Sequence, residues 1–287
     1  MATSRFAQMQ MATIELNTIE KCREDLKKAI EFFKSLGGTV LAEDFKTLLP
    51  SSQEEQADIF CDERNFNFDE VYPIIQLLNG FMIDEDIEPF EVPDEHKVFS
   101  LGLFNNGYCT YAGRFVFPVY DVRGNPMGFV GWEKGVKPKY LDSETYGYKA
   151  KETTLFGMQF LPKYYDEYVI ITEGIMCMIW LLSKGFNAMA SLGSHLSPYV
   201  IEILSRFGDK CIIIADADEA GNKFINQVKF SLPKARCYQS TVAKDVDDSR
   251  QVKDDLAEDI EKIIKGRFYK PKYFRIGKYI KEVKEID

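Results

Sequence analysis

The chain has 287 residues, 45% of them apolar, 14% aromatic and 28% charged, a balance that builds a real core and excludes a disordered or low-complexity polypeptide. Its longest apolar run, Ile175 to Leu182, is too short to cross a bilayer, and no apolar leader with a small-residue cleavage site opens the chain, so the expectation is a cytoplasmic protein with no membrane partner. The net charge of −9 is unevenly spread: residues 1–98 hold 9 Lys/Arg against 21 Asp/Glu, a balance of −12, whereas 99–287 hold 27 against 24, a balance of +3.

In chain order, residues 15–36 have helical apolar spacing (Ile19, Cys22, Leu26, Ile30, Phe33) and stop at Gly37-Gly38. A second helical stretch is read around Glu70–Gly80. It precedes an acidic run, Asp84 to Glu95, broken by Pro89 and Pro93 as linkers are. From Gly113 the pattern alternates instead. Arg114 to Asp121 and Met127 to Val130 read as two strands around a tight turn at Arg123-Gly124-Asn125, and lysines 134, 137, 139, 149 and 151 follow.

Strands and helices then take turns: strand Tyr168–Thr172, helix Ile175–Lys184, strand Asn187–Leu192, helix Pro198–Phe207, strand Cys211–Ala215, helix Glu219–Phe230 and a last strand Arg236–Gln239. Helices of about ten residues between apolar strands imply a parallel sheet covered on both faces. The tail, 266–287, carries 7 basic and 3 acidic residues interleaved with aromatics. The expected architecture is α/β. It has an acidic, mainly helical region (1–98), a small basic mixed α/β subdomain (99–166), a parallel-sheet domain (167–249) and a helical, basic-aromatic C-terminal segment (250–287). The acidic region, too negative to read DNA, is expected to dock a basic partner surface or mask the core.

The six cysteines are scattered, without Cys-x-x-Cys or a Cys/His cluster, so reduced thiols are expected and no zinc. The chemistry lies in carboxylates. Glu173 follows the first strand of the alternating region, Asp216 and Asp218 the third, and Asp245, Asp247 and Asp248 the last. In an open parallel sheet the carboxyl ends of the strands share one edge, where ligands bind. Three segments thus bring carboxylates to one rim, where they repel one another and need cations. Oxygen ligands without His or thiolate favour Mg²⁺ or Mn²⁺, and two such ions suit nucleotidyl transfer. A single Asp-x-Asp at a strand end is more often a turn or a helix cap; the three groups together carry the metal reading.

The runs Thr172-Glu173-Gly174, Asn187-Ala-Met-Ala-Ser-Leu-Gly193, Asp216-Ala-Asp218-Glu-Ala-Gly221 and Lys244-Asp245-Val-Asp247 resemble, in order and spacing, the Toprim domain of DnaG-type bacterial and phage DNA primases. Upstream, Gly113-Arg114-Phe-Val-Phe-Pro118, Gly128-Phe129, Pro138-Lys139-Tyr140-Leu141 and Lys151 ahead of Leu155-Phe156-Gly157 are similar to that family's N-terminal catalytic subdomain. The resemblance covers about residues 100–250. It implies synthesis of short RNA primers from NTPs on single-stranded DNA, with a replicative helicase or another replisome protein as partner. Glu173, Asp216 and Asp218 would be catalytic; these three with Asp245 and Asp247 would hold two Mg²⁺ or Mn²⁺ ions; Arg114, Lys139 and Lys151 would bind nucleotide and template. The compact form, without the family's zinc ribbon or a Walker A loop, points to a phage or other mobile element. Three positions depart from the family pattern: Cys177 for an Asp, Trp132 for an Arg and Asp142 for an Asn. The alternatives are a non-catalytic Toprim protein binding nucleic acid or the replisome, with Cys177 and Trp132 as marks of decay, and a Toprim nuclease.

Overall fold

The computed structural model describes residues 53–83, 104–105, 108–124, 126–145, 148–149, 154–266 and 270–278. The predicted helix at 15–36 and the acidic run 84–95 lie outside these. The chain divides into two compact units, residues 1–154 and 155–287, and the fold is α/β, as the sequence predicts.

In the first unit, helices α1 (Gln53–Arg64) and α2 (Phe68–Leu77) form a hairpin. Asn67 caps α2, its side chain accepting from Glu70 N at 3.2 Å. The helix read at 70–80 stops at 77 because Asn79 turns into the left-handed region (φ 53). Gly80 then lies so near the Phe117 ring that a Cβ would come within 2.5 Å of it. Strand β1 (Phe81–Met82) follows. After a ribbon of β2 (Phe104–Asn105) and β3 (Tyr108–Cys109), the predicted strand pair appears as β4 (Phe115–Tyr120) and β5 (Pro126–Trp132), then β6 (Tyr140–Asp142). Between β4 and β5 the Asp121 carboxylate accepts from Arg123 N at 2.8 Å, and Gly124 takes the positive φ that the turn requires. The sheet order is β1-β4-β5-β6, antiparallel throughout. A second ribbon, β7 (Glu144–Thr145) and β8 (Tyr148–Lys149), ends the unit.

The core of this unit corrects the expected boundary at 98. Phe60 of α1 stacks on Phe115 (ring centroids 4.4 Å apart) and meets Trp132 edge to face at 5.3 Å, while Phe81 pairs with Val116 in the sheet. Residues 53–83 are therefore a wall of the sheet subdomain and not a separate acidic module.

The second unit starts earlier than expected. Phe156 exchanges both backbone hydrogen bonds with Ala190, so residues 155–166, including the short α3 (Leu161–Tyr164), belong here rather than to a subdomain ending at 166. The alternation then runs β9 (Val169–Thr172), α4 (Ile175–Ser183), β10 (Ala188–Ala190), α5 (Pro198–Ser205), β11 (Cys211–Ala215), α6 (Glu219–Ser231) and β12 (Arg236–Ser240). Successive side chains of a strand point to opposite faces, yet every residue of β9, β10 and β11 is buried, so both faces are covered.

The chain continues through α7 (Val246–Arg250) and α8 (Leu256–Lys265) to a strand absent from the sequence reading, β13 (Phe274–Ile276). The sheet order is β10-β9-β11-β12-β13, with the first four parallel and β13 antiparallel to β12. The segment after 250 is thus not wholly helical. Buried Asp259 accepts from Lys272 N (2.9 Å) and Tyr273 N (2.8 Å), which turns the chain back along the sheet edge. Among the described residues no helix is long and apolar enough to cross a membrane.

Candidate functional site

Neighbouring strands β9 and β11 send their following connections to opposite sides, one to β10 and the other to β12. A crevice opens outside the carboxyl ends of strands at such a switch point, and ligands of open α/β sheets bind there. Thr172 pairs with Ile214, so Glu173 and Asp216 leave their strands almost level. Glu173 Oε1 accepts a hydrogen bond from Asp216 N at 2.9 Å, which fixes one carboxylate to the backbone of the other.

The loop carrying Asp216 is held from every side. Its carbonyl accepts from Gln239 Nε2 at 2.8 Å, and the same amide reaches Asn222 Oδ1 at 3.1 Å. Ala217 N donates to Lys244 O at 2.6 Å, tying this loop to the one after β12. Asp218 caps α6, accepting from Gly221 N at 2.9 Å. A Cβ at Gly221 would lie 1.9 Å from Asp216 O, so only glycine lets the helix approach this closely. Asp245 caps α7 in the same way, accepting from Asp248 N at 2.8 Å.

The electrostatics follow from the crowding. Burial, with the charges of Asp216 and Asp218, pushes Glu173 from 4.5 to about 7 against the opposing pull of the Asp216 N–H and Lys244. Burial and the Asp245 charge raise Asp216 from 3.8 to about 6. Asp218 is lowered, chiefly by the Gly221 N–H. One cation offsets the cluster: Lys244 Nζ is 3.3 Å from Asp216 Oδ2 and 3.3 Å from Asp218 Oδ2. Burial alone would lower its pKa, but the two carboxylates outweigh that and raise it.

Of the expected site residues, the structure brings Glu173, Asp216 and Asp218 together, with Asp245 close enough to act electrostatically on Asp216. Asp247 is buried in α7, where Arg250 Nε and Nη2 both meet its Oδ1 at 2.8 Å. Cys177 is not surrounded by apolar groups alone. It is buried in α4 within reach of Asp245 and Val246 N, and burial with the charges of Asp245 and Asp216 pushes its thiol up. In the other unit, Arg114 is buried; its Nη1 donates to Pro138 O at 3.1 Å and its Nη2 is 3.7 Å from Glu133 Oε2. Lys139 is exposed with its Nζ over the Tyr140 ring, and Lys151 lies outside the described residues. Trp132 is a core residue, and Arg64 of α1 packs over its ring at 5.4 Å. Sequence reasoning gave no role to Lys244 or Arg250, although Lys244 stood inside a quoted motif.

Among the described residues no three His, Cys, Asp or Glu side chains converge into a ready-made metal cage. The donor set is nonetheless all oxygen, and two of its carboxylates already share a cation in Lys244, so these residues fit a hard divalent ion.

Residues 170–255 match the Toprim-like family. A DNA primase of Clostridium acetobutylicum is 38% identical over 117 residues, which is 40% of this chain and 20% of that protein. One from Aquifex aeolicus is 35% identical over 115 residues, 38% of this chain and 23% of that protein. The matched segments thus span about a fifth of those relatives' length. Among solved structures, a DnaG primase catalytic domain bound to single-stranded DNA superposes with a TM-score of 0.62 at 21% identity, covering 85% of this chain and 82% of that one. The RNA polymerase domain of Mycobacterium tuberculosis primase DnaG does so with a TM-score of 0.58 at 17% identity, covering 75% and 77%. The fold is that of the DnaG catalytic core.

Proposed function

We propose that the chain is the polymerase core of a DNA primase that joins NTPs into short RNA primers on single-stranded DNA. The observation that carries this reading is the set of carboxylates from three separate segments at the β9/β11 switch point, on a fold shared with DnaG catalytic cores. Glu173, Asp216, Asp218 and Asp245 are the residues that would hold two Mg²⁺ or Mn²⁺ ions. Bound there, such ions supply Lewis-acid activation of the attacking hydroxyl and charge compensation at the leaving pyrophosphate.

The chain's own groups do the rest. Glu173, raised to about 7 by burial and its acidic neighbours before any cation binds, would serve as the acid/base carboxyl of the transfer. Asp216 and Asp218 keep their spacing because the loop between them is bonded to Lys244 O, Gln239 and α6. Asp247, engaged by Arg250, anchors the helix that Asp245 begins. In the first unit Arg114 fixes the backbone at Pro138 and Lys139, so that the exposed Lys139, with Lys151, can meet nucleotide and template phosphates. A replicative helicase or other replisome protein is the expected partner.

The test is incubation of the full chain with single-stranded template, labelled NTPs and Mg²⁺ or Mn²⁺. Short labelled RNA, lost in Asp216→Asn, is the expected result. Shortened DNA without NTPs would mean a nuclease. Template binding with neither product would mean a non-catalytic binding protein.

A further inference from the structure

We propose that Lys244 is a tethered counter-ion: it neutralises the Asp216–Asp218 pair in the metal-free protein and has to be displaced before a divalent cation can bind there. The inference rests on the reading above that these carboxylates hold metal, and extends it to a residue outside the donor set.

Three features of the site carry it. First, the ammonium is shared evenly, 3.3 Å from one oxygen of each carboxylate, and those two residues come from the loop after β11 while the lysine comes from the loop after β12. Second, part of the cluster is already engaged by backbone N–H groups. Asp218 Oδ1 caps α6 through Gly221 N, and Glu173 Oε1 is taken by Asp216 N. Asp218 Oδ2 and Asp216 Oδ2 both face Lys244, so a cation bridging these two carboxylates through those oxygens meets the ammonium. Third, the lysine is fixed at its root and loose at its tip. Its carbonyl is bonded to Ala217 N at 2.6 Å, whereas its side chain is 55% exposed. An amine so placed can swing into solvent without disturbing the loop.

Ammonium and metal then compete for the same oxygens. Exposed ion pairs are individually weak, so the competition is modest: release of two of them should cost the metal about fivefold in affinity. The consequence is a carboxylate pair that is charge-compensated without metal and whose apparent metal affinity Lys244 lowers.

Direct Mn²⁺ binding tests this, read as free Mn²⁺ by electron paramagnetic resonance at about pH 8, with wild type, Asp216→Asn, Lys244→Gln and Lys244→Arg. The half-exposed position tolerates both lysine substitutions, and circular dichroism checks that each variant is folded. Lys244→Gln should bind Mn²⁺ about fivefold more tightly than wild type, Lys244→Arg should stay within about twofold of it, and Asp216→Asn should bind far more weakly. If Asp216→Asn loses binding while Lys244→Gln equals or falls below wild type, the counter-ion role is wrong and the metal reading stands. Equal tightening by Gln and Arg would also overturn it, because charge would not be the cause. If wild type and Asp216→Asn bind alike, or wild type binds none, the metal reading falls and takes the counter-ion with it.

Discussion

Replacing Glu173 with Gln should stabilise the metal-free protein at alkaline pH while ending nucleotide transfer. The wild-type carboxyl is raised from 4.5 to about 7, first by burial and then by the charges of Asp216 and Asp218. A group whose folded pKa lies above its unfolded one holds its proton longer in the folded state. Its contribution to stability is full below about 4.5 and is lost as pH rises through about 7. At about 1.4 kcal/mol per pKa unit, roughly 2 to 3 kcal/mol should disappear between pH 5 and pH 8.5. Gln removes the ionisation but keeps an oxygen that can accept from Asp216 N. The assay is urea unfolding in EDTA at both pH values. The chain has two tryptophans, Trp132 in the first unit and Trp180 in the second, so a Trp132→Phe background makes fluorescence report the second unit alone. The Gln variant should lose about 2 kcal/mol less than the parent across this range. Parallel loss in both proteins would refute the argument, because the cost of the buried Glu173 charge would then be absent.

Gly221→Ala should cost about 1–3 kcal/mol and most primer synthesis, since the new methyl meets the Asp216 backbone and not a yielding side chain; an unchanged melting temperature would count against that contact. Trp132→Ala should cost about 3–5 kcal/mol in the first unit by emptying the site between Phe60 and Arg64, read by thermal unfolding. Cys177→Ala should keep most primer synthesis, and the wild-type thiol should resist alkylation in the native protein because it is buried and its pKa is raised; rapid labelling detected by mass spectrometry would contradict its placement.

The second unit was legible where one signal dominated. Strands such as Cys211–Ala215 are unbroken apolar runs, and each is followed by the turn and helix that put its terminal carboxylate at the rim. Helix α1 was not read, because QEEQADIFCDER buries only Ala57, Phe60 and Cys61 and its apolar stripe is too thin to stand out. Trp132 looked like a decayed site residue in the sequence. Its role depends on Phe60, 72 positions away in the chain, which no local pattern reveals. The partners of Lys244 and Asp247 were hidden for a different reason. Spacing shows which carboxylates reach the rim but not which side-chain cation turns toward them, since that depends on rotamers set by packing.

The antiparallel strand β13 has a bearing on how this chain is made. The parallel part of the sheet is complete by Ser240, yet the outer edge of β12 finds its partner only at Phe274–Ile276, held by Asp259 through the Lys272 and Tyr273 amides. During synthesis that edge remains open until residue 276 has left the ribosome, and an open edge is a template for pairing with other chains. A shortened version ending at 249, where the sequence alone would place the domain border, would keep every carboxylate of the cluster and still leave β12 exposed. Any form of the second unit that closes this edge must therefore reach at least Gly277, whose N donates to Cys237 O at 2.8 Å.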